Sequence, residues 1–264
     1  MRDLAGRVAI VTGASSGIGA ATAVAFGRAG LRVALAARRQ ELLEQVAAQV
    51  RAAGGEALVL AADLRDPAAG EALVAATTQA WGRVDVMVAN AGLGRGGRFE
   101  RIPEESLLEQ VEVNLVAVVR CARAVLPGML AQGSGHLIAV SSVAGELGIP
   151  YNVIYSATKA AVTNLCEGLG REVGRRGVAV TAVLPGFIAT PMTAGDRFPV
   201  RLPGPEIVAE AILRALRRPR RRVVVPGYYR LVGGLNHWFP GLVCWGIGRV
   251  VPKYGANGKQ RPDA

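Results

Sequence analysis

The chain has 264 residues, 51% of them hydrophobic and 5% aromatic, with a formal net charge of +11 at pH 7. That length can bury one large core, and no linker-like change in composition divides it, so one main domain is expected over residues 1–227 with an extension over 228–264. The low aromatic content argues against a β-sandwich, and three scattered cysteines, Cys121, Cys166 and Cys244, argue against a disulfide framework or a metal site.

The first residues run straight into an apolar stretch without a signal-type segment, so a cytoplasmic or membrane-surface location is the expectation. The positive charge comes almost wholly from arginine and suits an anionic partner such as a phosphorylated cofactor or an acidic lipid surface. No basic stripe interleaved with aromatics is present, so nucleic acid is not an expected partner.

Residues 7–11 form a short β-branched run, followed at once by Thr12-Gly13-Ala14-Ser15-Ser16-Gly17-Ile18-Gly19 and then a helical pattern over 20–28. A strand, a glycine-rich turn and a helix start in that order suit a dinucleotide, because glycines let the backbone approach a pyrophosphate and the helix N-terminus offers free N–H groups and positive dipole. Residues 31–36 read as the second strand. At its end an NAD site is expected to carry Asp or Glu against the ribose hydroxyls. This chain has Ala37-Arg38-Arg39 instead, which offers guanidinium groups to a 2′-phosphate and favours NADP(H) over NAD(H); the same two arginines equally suit the start of an exposed helix over 40–53.

Residues 56–61 read as strand three, ending in Asp63 and Leu64. Asp63 suits an adenine amine or the cap of the next helix, which Asp66-Pro67 opens and which runs to about residue 80. Residues 84–89 form strand four, apolar throughout as a strand buried on both faces should be, and Asn90-Ala91-Gly92 follow at its carboxyl end, where doubly wound sheets bind ligands. A long helical region spans 103–130, with a break expected near 111–114. Asn114 there, set among aliphatics, reads as a buried amide that needs hydrogen-bond partners. Residues 136–140 are strand five, with His136 structural at its start and Ser141-Ser142 at its ligand edge. A helix over 155–170 carries Tyr155 and Lys159 one turn apart on one face, and a neighbouring cation is expected to bring the phenol's pKa down. Strand six covers 177–184, a stiff loop from Pro185 and Gly186 to Thr190 follows, and a helix over 206–216 and a strand over 223–225 complete an α/β fold: a doubly wound parallel sheet of about seven strands with helices on both faces.

This series of residues, in order and spacing, resembles the short-chain dehydrogenase/reductase family over about residues 5–227. The resemblance implies that Tyr155 is the general acid/base, that Lys159 tunes it and holds the nicotinamide ribose, that Ser142 orients the substrate carbonyl and that Asn114 holds a water relaying protons toward Lys159. It further implies cofactor contacts from Gly13, Ser15, Ser16, Gly17, Ile18, Gly19, Arg38, Arg39, Asp63, Leu64, Asn90, Ala91, Gly92, Pro185, Gly186, Ile188 and Thr190. The implied function is NADP(H)-dependent hydride transfer on a carbonyl or secondary alcohol, with an apolar substrate expected, in a homodimer or homotetramer. The alternative is a cofactor-bound scaffold or regulatory protein of the same fold.

Beyond Val225 the chain departs from the family's common core. Residues 231–248 are uncharged apart from His237, with Trp238, Phe239 and Trp245 among them and arginines upstream at 217, 218 and 220–222. Pro240 and five glycines disfavour a bilayer span. A membrane-surface anchor and a packing role over the substrate cleft or against a second subunit both remain open.

Overall fold

The computed structural model describes residues 4–195, 198, 201–238 and 241. Seven strands, β1 (Val8–Thr12), β2 (Arg32–Ala37), β3 (Glu56–Ala61), β4 (Val86–Ala89), β5 (Gly135–Val140), β6 (Val178–Pro185) and β7 (Arg222–Val225), form one sheet in the order β3-β2-β1-β4-β5-β6-β7. Every pairing is parallel. Among the described residues eight α-helices accompany them: α1 (Gly17–Arg28), α2 (Gln40–Ala52), α3 (Ala69–Trp81), α4 (Glu104–Val111), α5 (Ala117–Ala131), α6 (Val153–Val173), α7 (Glu206–Arg217) and α8 (Tyr229–Trp238).

The two-residue period of a strand explains how one apolar run serves two cores. Ala9 and Val11 of β1, Val86 and Val88 of β4, and Ile138 and Val140 of β5 point to one face, where they meet Phe26, Leu43, Ile212 and Leu216 from α1, α2 and α7. Their neighbours Ile10, Met87, Ala89, Leu137 and Ala139 point to the other face and meet Val118, Val125, Met129, Val162 and Cys166 from α5 and α6. Each fully buried large side chain of this kind contributes about 1.5–3 kcal/mol relative to exposure. Cys121 and Cys166 are buried in the second core, and burial pushes both thiols up to about 12, so they are inert apolar filler. Among the described residues no group of acidic, histidine and cysteine side chains is arranged to hold a metal ion.

The expected break near 111–114 is instead a π turn, Glu112–Val116, inside one helical stretch from Glu104 to Ala131. Among the described residues that stretch is the one helix long and apolar enough to cross a membrane; here it packs against α3 and α6 on the sheet. Other differences are at boundaries: α3 starts at Ala69 rather than at Asp66, because the Asp66 carboxylate accepts the Ala68 N–H at 2.9 Å in a turn before the helix, and α6 is longer than expected at both ends. The extension supplies α8, a helix the sequence reading did not specify. The rest of the apolar run, including Phe239, Cys244 and Trp245, lies outside the described residues.

Candidate functional site

All seven strands point their carboxyl ends the same way, so the residues after β1, β2, β3, β4, β5 and β6 converge on one edge. The turn after β1 sits tightly on the end of β4. Thr12 Oγ1 accepts the N–H groups of Asn90 and Ala91 at 3.0 and 3.1 Å, and Asn90 Nδ2 donates to the Thr12 carbonyl at 2.9 Å. A Cβ on Gly19 would lie 2.3 Å from the Gly13 carbonyl oxygen and 2.6 Å from Asn90 Nδ2, so only glycine lets α1 begin this close to the turn. Thr12 is a site-shaping residue that the sequence reading quoted but gave no role; a hydroxyl ending a buried strand was the available signal.

Between that turn and α6 lies a cleft of about 390 Å³, within the range of small-molecule sites. Gly13, Ser15, Ser16, Gly17, Ile18, Arg38, Arg39, Asp63, Leu64, Asn90, Ala91, Gly92, Ser142, Tyr155, Lys159, Pro185, Gly186, Ile188 and Thr190 all line it. Gly19 and Asn114 do not; Gly19 is buried beneath the turn and Asn114 behind the wall. Asn114 Oδ1 accepts the Leu93 N–H at 2.8 Å, and its Nδ2 donates to the Leu93 carbonyl at 2.9 Å and to Thr158 Oγ1 at 3.3 Å. Its side chain therefore holds the strand β4 loop against α6.

At the outer end, Arg39 Nη2 donates to Ser15 Oγ at 3.0 Å and Ser16 Oγ at 3.1 Å, which brings a guanidinium over the start of α1. Asp63 is ion-paired with Arg65 at 2.5 Å and also accepts the Arg65 N–H at 3.0 Å. The Arg65 hydrogen bond holds the Asp63 carboxyl below its ordinary pKa. Asp63 thus caps its own turn rather than α3, and still borders the cleft.

At the inner end, Ser142 Oγ accepts the Ala144 N–H at 3.1 Å and so fixes the 3₁₀ turn Val143–Glu146. Its hydroxyl donates to the Pro185 carbonyl at 3.4 Å, and Tyr155 lines the same end of the cleft. Lys159 is buried, with Nζ donating to the Val140 carbonyl at 2.9 Å and lying 5.6 Å from the centre of the Tyr155 ring. The expected lowering of the phenol's pKa by Lys159 is not found among the chain's own groups. Burial pushes Tyr155 up, with the nearby Ser142 hydroxyl opposing it, and burial brings Lys159 down to about 8. The Lys159 ammonium is instead held on the Val140 backbone carbonyl. A loop lock missed in the sequence is Thr193, whose Oγ1 accepts the Thr190 N–H at 3.0 Å and donates to the Ile188 carbonyl at 2.7 Å. Leu93, Val143, Ile149, Phe187 and Met192, also unassigned beforehand, give the inner end an apolar lining.

These residues fit a nicotinamide dinucleotide: a side-chain-free cradle at a helix N-terminus, cations beside it, and a polar trio at the far end. Comparison with known proteins agrees. A sequence profile described as short chain dehydrogenase matches residues 7–198. A 3-oxoacyl-(acyl-carrier-protein) reductase of Synechocystis sp. is 40% identical over 194 residues, 73% of this chain and 78% of that protein. Among solved structures, a short chain dehydrogenase/reductase from Burkholderia phymatum in complex with NAD superposes with a TM-score of 0.84 at 27% identity, covering 92% of this chain and 96% of that one. A metagenomic short-chain oxidoreductase in complex with NADP gives 0.75 at 35% identity, covering 85% and 98%. The profile spans well over half of the chain, and with the shared fold it makes this protein a member of the short-chain dehydrogenase/reductase family, an oxidoreductase built on a nicotinamide-binding sheet.

Proposed function

We propose that the protein is an NADP(H)-dependent reductase of an apolar ketone, interconverting it with the secondary alcohol. The observation that carries this reading is the convergence of Ser142, Tyr155 and Lys159 at one end of a cleft whose other end is flanked by Arg38 and Arg39. When bound, the nicotinamide supplies or takes up the hydride. The chain's own contribution is positional and protic. Burial keeps the Tyr155 phenol protonated at neutral pH, which is the state that donates a proton to a carbonyl oxygen being reduced. Ser142, which lines the same end of the cleft, offers a second contact to the same oxygen. Lys159, tethered to the Val140 carbonyl, presents its remaining N–H groups to a ribose hydroxyl.

NADP(H) is favoured over NAD(H) because no carboxylate follows β2 at Ala37, Arg38 and Arg39, and guanidinium groups fork onto phosphate. Solved relatives hold either cofactor, so the preference is a matter for direct titration. An apolar substrate is supported by the Leu93, Val143, Ile149, Phe187 and Met192 lining. The Synechocystis relative's named substrate class, a 3-oxoacyl chain, is a ketone of that kind. The test is NADPH oxidation followed by absorbance over a panel of aliphatic ketones, aldehydes and 3-oxoacyl thioesters, with fluorescence titration of both reduced cofactors. Turnover rising with acyl length and tighter NADPH than NADH are expected; tighter NADH binding reverses the cofactor assignment, and turnover confined to small polar carbonyls reverses the substrate assignment.

A further inference from the structure

The helix α8 has two faces of opposite character. With 3.6 residues per turn, Tyr229 and Asn236 fall on one side. The Tyr229 ring rests on Gly186, where a Cβ would meet its Cε2 at 2.0 Å, and Asn236 Nδ2 donates to the Glu146 carbonyl at 3.0 Å. That side therefore packs on the loop after β6 and on the 3₁₀ turn after Ser142. Leu231, Leu235 and Trp238 fall on the other side within an arc of about 60°, and they are 71%, 46% and 75% exposed, while the ring of Tyr228, just before the helix, packs on that of Tyr229. Three large apolar side chains in one exposed row mark a contact surface.

We propose that this row docks the protein on an anionic lipid surface. Three observations favour lipid over a second copy of the chain. A ten-residue helix about 15 Å long and about 10–12 Å across presents on the order of 150–180 Å² per copy, short of the roughly 1,200–2,000 Å² that a stable protein interface buries. Each copy carries a net charge of +11, which attracts acidic headgroups. The sequence past Trp238 continues through residues 239–248 without a charge, with Trp245 among them, and then reaches Arg249 and Lys253. Tryptophans at headgroup level flanked by basic residues are the composition of interfacial segments. Docking there places the lipid surface against the helix that touches both loops of the cleft.

The test is co-sedimentation of the full chain with vesicles of phosphatidylcholine alone and of phosphatidylcholine with phosphatidylserine, alongside a Leu231→Asp/Trp238→Asp variant. Binding to the anionic vesicles, weak binding to the neutral ones, and a loss of about tenfold or more in the variant are expected. An unchanged NADPH affinity in the variant is expected too, since neither side chain lines the cleft. Absence of binding to either vesicle, equal binding to both, or a concentration-dependent dimer in sedimentation velocity that the variant abolishes would each overturn the proposal. The readout contains no turnover step, so it stands or falls separately from the substrate reading.

Discussion

The two edges of the sheet carry similar residue types put to different use. At the amino edge, Asp85 accepts the Val8 N–H at 3.0 Å and an Arg83 guanidinium N–H at 2.7 Å. His136 Nε2 lies 2.8 Å from Thr181 Oγ1, which itself donates to the Arg220 carbonyl at 2.5 Å. That donation makes the His136 Nε2–H the donor of the pair. At the carboxyl edge, Ser142, Tyr155 and Lys159 are also largely enclosed, but each keeps hydrogen-bonding capacity toward the cleft. Buried polar groups need partners. Where the fold supplies all of them the residue is structural, and where it leaves one side to a ligand the residue is available for chemistry.

This contrast predicts that substitutions at the carboxyl edge change turnover while those at the amino edge change stability. The largest effect is expected from Tyr155→Phe, which removes the proton donor: steady-state turnover should fall about 10²–10⁴-fold with NADPH affinity, read by fluorescence, unchanged. Retained turnover would move the proton donor elsewhere. Next comes Asp85→Ala, which strands the Val8 N–H and should cost about 1–3 kcal/mol in denaturant unfolding while leaving kcat as it was; a drop in kcat with no loss of stability would break the distinction between edges. Thr181→Val removes the acceptor of His136 and should cost about 0.5–1.5 kcal/mol, again without a change in turnover.

The smallest effect sharpens the comparison through pH. Lys159 is brought from 10.5 to about 8 by burial. Between those values the unfolded chain holds a proton that the folded one has released, so the unliganded protein should grow more stable as pH rises through that window. The stability slope there should flatten in Lys159→Met, measured by denaturant midpoint at each pH; an identical slope would mean that Lys159 is not the group responsible.

Much of this was legible in the residues. The strands at 8–12, 86–89 and 135–140 announced themselves because apolar runs between glycine and polar punctuation are a local signal. The cleft residues after those strands followed from the parallel order alone. Less legible was Asn114, whose buried setting was clear but whose partner Leu93 lies 21 residues away. Arg39 read as a phosphate ligand or a helix opener, and it opens α2 while also reaching Ser15 and Ser16 across the neighbouring turn. Such pairings depend on which loops the sheet brings together, information that no window of sequence contains.

By itself the sequence determined the alternation of strands and helices, the glycine turn that admits a dinucleotide, and the placing of Tyr155 and Lys159 on one helical face, since each rests on backbone preferences or spacing within a few residues. Only the tertiary structure decided that the phenol is pushed up rather than down, that the helix at Glu112–Val116 bulges instead of breaking, and that α8 rests on Gly186 and the Glu146 turn with its apolar row outward. Those outcomes turn on burial and on contacts between distant segments, and burial is a property of the assembled chain.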